Sequence, residues 1–136
     1  GIGASAGGLE ACRRLLKGLP VDTGLGFVIV SHLDPDHHSM LASLLSKATN
    51  MPVIEVGESM RVAPNHCYVI PPNRHLGIHD GVVHTLDRQL EQGRHLPVDY
   101  FLKTLADDIG ERSIGVVLSG TASDGTSAFT KAGASA

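Results

Sequence analysis

The chain has 136 residues, of which 42% are hydrophobic and 18% charged, with a formal net charge of −3. This balance supports one globular domain with a real core, while the scattered Lys and Arg argue against a nucleic-acid surface. No apolar run approaches the roughly 20 residues of a membrane span, and with 4% aromatics and 16 glycines the core should be aliphatic and the turns tight.

The opening glycine-rich run, Gly3-Ala4-Ser5-Ala6-Gly7-Gly8, leads into Leu9–Leu19, whose apolar residues Leu9, Cys12, Leu15, Leu16 and Leu19 fall at helical spacing. Leu25–Val30 is a continuous apolar run of strand length, as expected for a strand covered on both faces. A polar, turn-rich His32–His38 follows. Met40, Leu41, Leu44, Leu45 and Ala48 then give a second amphipathic helix, capped by Ser39 or Asp36. Pro52–Val56, Cys67–Ile70, Leu76–His79 and Val82–Leu86 are short strands, the last two joined by a hairpin at Asp80-Gly81. Pro97 opens a helix with Val98, Phe101, Leu102, Leu105 and Ile109 on one face, and Gly110 closes it. Ile114–Leu118 is another buried-type strand, and a last helix should start near Ser127, capped by Asp124 or Thr126.

Strands alternating with helices predict an α/β fold: a doubly wound, mostly parallel sheet in a three-layer α/β/α arrangement, with the hairpin as an antiparallel insertion. One domain should occupy residues 1–136. The chain starts inside a motif, so it reads as a segment truncated at both ends, with the first strand expected before Gly1. Cys12 and Cys67 share no CxxC spacing; they are expected to be buried, reduced thiols, which suits a cytoplasmic protein.

Three positions carry candidate chemistry. Ser5 sits among small residues that let a strand turn sharply into a helix. A helix starting just after it would aim free N–H groups at an oxyanion, the Ala6 N–H first. The same run also fits a phosphate or dinucleotide cradle, Gly1-x-Gly3-x-x-Ala6, or a purely structural turn. The second strand ends in Ser31-His32 rather than the acidic residue that would hold a ribose.

His32 ends the most hydrophobic strand, as a base or as a structural histidine bonded to backbone. His32-Leu33-Asp34-Pro35-Asp36-His37-His38 also approximates the HxHxDH zinc run of metallo-β-lactamase-type hydrolases, with Asp34 where a histidine is expected. Asp124, in Leu118-Ser119-Gly120-Thr121-Ala122-Ser123-Asp124-Gly125-Thr126, is a helix cap or a carboxylate that fixes the His32 tautomer. The order Ser, His, Asp differs from that of α/β-hydrolases, and Ser5 is in no GxSxG elbow.

Gly-Ala-Ser-Ala-Gly-Gly (3–8), Val-Ser-His-Leu (30–33), Pro-Asn-His-Cys-Tyr-Val-Ile-Pro-Pro (64–72) and Leu-Ser-Gly-Thr-Ala-Ser-Asp-Gly-Thr (118–126) resemble, in order, the CheB-type methylesterase domain of chemotaxis. The runs 32–41 and Pro-Pro-Asn-Arg (71–74) look most like versions fused to a CheR-type methyltransferase. The resemblance implies Ser5 as nucleophile, His32 as base and Asp124 as orienting acid; Ala6, Gly7 and Thr121 are the backbone candidates for the oxyanion. It implies hydrolysis of glutamate γ-methyl esters, and in some members glutamine deamidation, without metal or organic cofactor. The implied substrate is a methylated, helical chemoreceptor-like protein, with receiver and methyltransferase domains as fused or separate partners. Tyr68 and the Pro71-Pro72 turn become scaffold. Two departures stand out: Ser-Ala-Gly-Gly replaces the commoner Ser-Thr-Gly-Gly, and Thr121 stands where a methionine is frequent. A catalytically degenerate interaction domain and a zinc hydrolase built on His32–His38 are the alternatives.

Overall fold

The computed structural model describes residues 1–4, 8–31, 40–87, 90–91 and 94–118. Along the chain run β1 (Ile2–Ala4), α1 (Leu9–Gly18), β2 (Phe27–Ser31), α2 (Leu41–Ser46), β3 (Val53–Glu55), β4 (Ser59–Arg61), β5 (Cys67–Val69), β6 (His75–His79), β7 (Val82–Leu86), β8 (Leu90–Glu91), β9 (Arg94–His95), α3 (Pro97–Ile109) and β10 (Val116–Leu118). Five strands form a parallel sheet in the order β10-β1-β2-β5-β3. A three-stranded antiparallel sheet, β4-β7-β6, and the β8-β9 pair lie outside it. The α/β expectation is met. The first strand, expected before Gly1, instead includes Ile2–Ala4 within the chain.

Alternation along the central strands divides the interior into two layers, because successive side chains point to opposite faces. Ile29, Cys67 and Val69 join Ile2, Ala4, Cys12, Leu16, Leu41 and Leu45 on the face covered by α1 and α2. Val28, Val30, Tyr68 and Ile70 face the other way, onto Val98, Phe101, Leu102 and Leu105 of α3 and onto Leu76, Ile78 and Val83 of the hairpin. Helix α3 begins with Pro97 in its first turn and stops at Gly110, whose φ of 62° is one that other residues rarely adopt. Helix α2 starts at Leu41 with Met40 at the N-cap and no side-chain cap bond. The Ser39 or Asp36 cap expected for it lies outside the described residues, as does the helix expected near Ser127.

Tyr68 is scaffold, as expected. Its buried hydroxyl accepts a bond from the Ala63 amide at 2.8 Å and donates to the Arg61 carbonyl at 3.1 Å. Both cysteines are buried and unpaired with each other. Burial pushes the Cys12 thiol up to about 11 and Cys67 up to about 12, the latter helped by neighbouring Cys12. The nucleophilic thiolate is therefore scarce at neutral pH. Ellman's reagent is expected to label the native protein on the order of 10²-fold more slowly than the unfolded chain; two rapidly reacting thiols would contradict this packing.

The hairpin turn has the expected chemistry. Asp80 and Gly81 both have positive φ, 51° and 74°, the signature of a type I′ turn. Near the end of α3, the Asp108 carboxylate accepts bonds from the Asp80 amide at 2.7 Å and the Gly81 amide at 3.0 Å. These bonds, that from Gly81 foremost, hold the Asp108 carboxyl below its ordinary value. A carboxyl depressed by folding adds stability above its unfolded pKa, here 3.8, and loses it as pH falls through the lower folded value. Asp108→Asn should therefore flatten the stability profile below that pH and speed hydrogen exchange at the Asp80 and Gly81 amides. Unchanged exchange at both amides would refute the tie.

Candidate active site

The register of the parallel sheet brings three strand ends together. Ala4, the last residue of β1, pairs with Ser31, the last of β2, and with Leu118, the last of β10. Neighbouring strands lie about 4.8 Å apart, so the chain leaves the sheet at three adjoining points on one edge. The residues next in sequence are Ser5, His32 and Ser119. The strand order also reverses here. From β1 the chain passes outward to β2 and on to the edge strand β3, turns back to β5 between them, and later returns to the other side of β1 as β10. In open α/β sheets such a reversal opens a crevice at the C-terminal strand ends, where ligands bind.

Two glycines hold β1 tightly at this edge. A Cβ on Gly3 would collide with the Val98 side chain of α3. A Cβ on Gly8, the N-cap of α1, would sit 2.6 Å from the Ala4 Cβ and 3.0 Å from the Leu118 carbonyl oxygen. Helix α3 thus closes on one face of β1, and α1 starts directly against the ends of β1 and β10.

Three polar residues are buried among the described residues: Ser31, His75 and Asp99. Ser31 belongs to the strand-end edge itself. Asp99 lies in the first turn of α3, where the helix dipole favours a carboxylate, and Tyr100 packs edge-on against the His75 ring at 5.0 Å. In sequence His75 and Asp99 carry only a faint signal, a histidine opening one apolar strand and an acid two residues after a helix-initiating proline.

The opposite end of the fold has a different chemistry. A cavity of about 470 Å³ opens where β1, β2 and β10 begin, lined mainly by side chains such as Leu15, Leu19, Phe27, Val62, Leu105 and Ile109. Among the described residues its lining includes no imidazole and no carboxylate. Among the described residues, one group of three could offer metal ligands: His79, Asp80 and Asp108, at the hairpin turn. Both Asp108 oxygens already accept backbone bonds there. The sequence-derived site residues Ser5, Ala6, Gly7, His32, Thr121 and Asp124, and the run His32–His38 considered for zinc, lie outside the described residues.

A profile of the family described as CheB methylesterase matches residues 1–134. The chain belongs to the CheB methylesterase family. It is 35% identical over 136 aligned residues to a protein-glutamate methylesterase/protein-glutamine glutaminase of Yersinia pestis bv. Antiqua (strain Antiqua), covering 91% of this chain and 36% of that protein. The protein of the same name from Escherichia coli (strain K12) is 33% identical over 148 residues, covering 98% of this chain and 40% of its own. The chain thus spans about two-fifths of the length of these CheB relatives. The crystal structure of the Thermotoga maritima CheB methylesterase catalytic domain superposes with a TM-score of 0.85 at 29% identity, over 97% of this chain and 72% of that one. The α/β architecture is therefore that of a CheB catalytic domain. No helix among the described residues is long and apolar enough to cross a membrane.

Proposed function

We propose that this chain is the catalytic part of a protein-glutamate methylesterase that uses Ser5, His32 and Asp124. One observation carries the reading: Ala4, Ser31 and Leu118 share a register, so the segments bearing these three residues leave the sheet side by side. The family and the names of its relatives supply the substrate class.

In the proposed cycle His32 Nε2 removes the Ser5 hydroxyl proton as Oγ attacks the γ-ester carbonyl. Asp124 accepts from Nδ1–H, holding the tautomer and stabilising the imidazolium. Backbone N–H groups of Ala6, Gly7 and Thr121 receive the oxyanion, each donor contributing roughly 10²–10³-fold. The imidazolium returns its proton to the departing methoxide, giving methanol and an acyl-serine. Water, deprotonated by the same imidazole, then attacks the acyl carbon and releases glutamate and free Ser5. A γ-amide follows the same course with ammonia as leaving group, which is the deamidase reading.

The substrate in this reading is a methylated helical chemoreceptor presented to an open site. Receiver and CheR-type methyltransferase domains, fused or separate, are the partners, and the compartment is the cytoplasm. The test is inhibition of methanol release. A serine-directed phosphonate should inactivate the protein with one adduct at Ser5, while EDTA leaves the rate unchanged. Loss of activity to EDTA without an adduct would reject the triad in favour of metal chemistry at His32–His38.

A further inference from the structure

Gly8 has φ −88° and ψ −3°, a negative-φ conformation at the edge of the right-handed helical region. L-residues adopt that backbone at turn positions, so conformation does not call for glycine there. Space does. An added Cβ would lie 2.6 Å from the Ala4 Cβ and 3.0 Å from the Leu118 carbonyl oxygen, the first closer than real Cβ contacts come. Gly18, at the other end of α1, has nothing within 4 Å of its Cβ position. The crowding is thus specific to the helix start.

Both atoms that crowd Gly8 belong to strand-terminal residues. Ala4 directly precedes Ser5, and Leu118 precedes the segment that carries Asp124. We infer that Gly8 is a positioning residue for the esterase site: by lacking a side chain it seats α1 directly on the ends of β1 and β10 and sets their spacing. The inference rests on the proposed esterase function. Close helix–strand packing through a glycine is also the physical role of one glycine in dinucleotide-binding turns. Here the packing spans two strand ends at once.

The experiment measures kcat and KM for methanol release, with Tm, in the full chain. Gly8→Ala is expected to lower kcat by roughly 10²-fold, the cost of misplacing reacting groups by about 1 Å, with KM nearly unchanged. Ala4→Gly in that background removes the 2.6 Å contact and should recover kcat by about tenfold, in part because the Leu118 contact remains. Gly18→Ala should keep wild-type kcat. So should Val83→Ala, a buried hairpin residue, at temperatures below its melting transition. Should Gly8→Ala not fold, Ala4→Val loads the same contact from the strand side and is expected to reproduce the kcat loss. Wild-type kcat in folded Gly8→Ala, or in Ala4→Val, overturns the inference. Equal loss in Val83→Ala at matched Tm also overturns it, because the effect is then general instability. A wild-type chain that releases no methanol rejects the esterase reading itself and this inference with it.

Discussion

Replacing Ser5 with alanine is expected to lower kcat for methanol release by about 10⁴-fold or more while KM changes little. In the proposed mechanism the hydroxyl supplies the covalent path, and the substitution leaves the substrate-binding surfaces in place. Residual turnover should come from the oxyanion donors and from binding alone. His32→Ala should be similarly inactive, and the double variant scarcely worse than either, because residues that act as a unit are strongly non-additive. Glutamine deamidation should fall in parallel, since the proposed mechanism takes ester and amide through the same acyl-serine. A Ser5→Ala protein that keeps its kcat would remove the nucleophile from the mechanism. Additive losses in the double variant would show that the two residues serve separate steps.

The largest expected effect on stability is that of Phe101→Ala. Phe101 is 1% exposed and belongs to the cluster joining α3, the β2 and β5 side chains on that face, and the hairpin. Truncating a buried phenylalanine costs about 3–5 kcal/mol in transfer and cavity terms. A domain of this size has roughly 5–15 kcal/mol in total. Melting should therefore drop by on the order of 10 °C. Leu25→Ala provides the contrast, because Leu25 is 46% exposed and should cost no more than about 0.5 kcal/mol. Equal melting temperatures for the two variants would contradict the assignment of the core to the α3 face.

Much of this architecture is written in local sequence. Asp80-Gly81 specifies a two-residue turn because both positions take positive φ, and the strands on either side, His75–His79 and Val82–Leu86, follow in register. Pro97 and Gly110 mark the ends of α3 for similarly local reasons. Errors arise where apolar character is not tied to pairing. The expected strands at Leu25–Val30 and Ile114–Leu118 begin two residues later, at Phe27 and Val116, and the excluded Leu25 and Ile114 are solvent-exposed. Strand β4, Ser59–Arg61, escaped notice because it is three residues long, two of them exposed. Its pairing with β7 is long-range in sequence.

The site divides in the same manner. That a buried strand would end near His32 is readable from where an apolar run stops, and the turn at Ser5 from its small neighbours; the motif likeness extends both to a family. Which strands are neighbours is not readable there. The β10-β1-β2 adjacency follows from the return of the chain after α3, a long-range property of the sheet. The role of Gly8 is also hidden, since a glycine needed for space looks the same in sequence as one needed for a positive φ.

A crystal structure of the phosphonate-treated protein is the most direct measurement. Phosphorus is expected bonded to Ser5 Oγ, with His32 Nε2 within about 2.6–3.2 Å of the adduct oxygen and an Asp124 carboxylate oxygen at hydrogen-bond distance from His32 Nδ1. Phosphorus on another residue, or the His32 ring turned to the opposite face of the sheet from Ser5, would contradict the proposed triad.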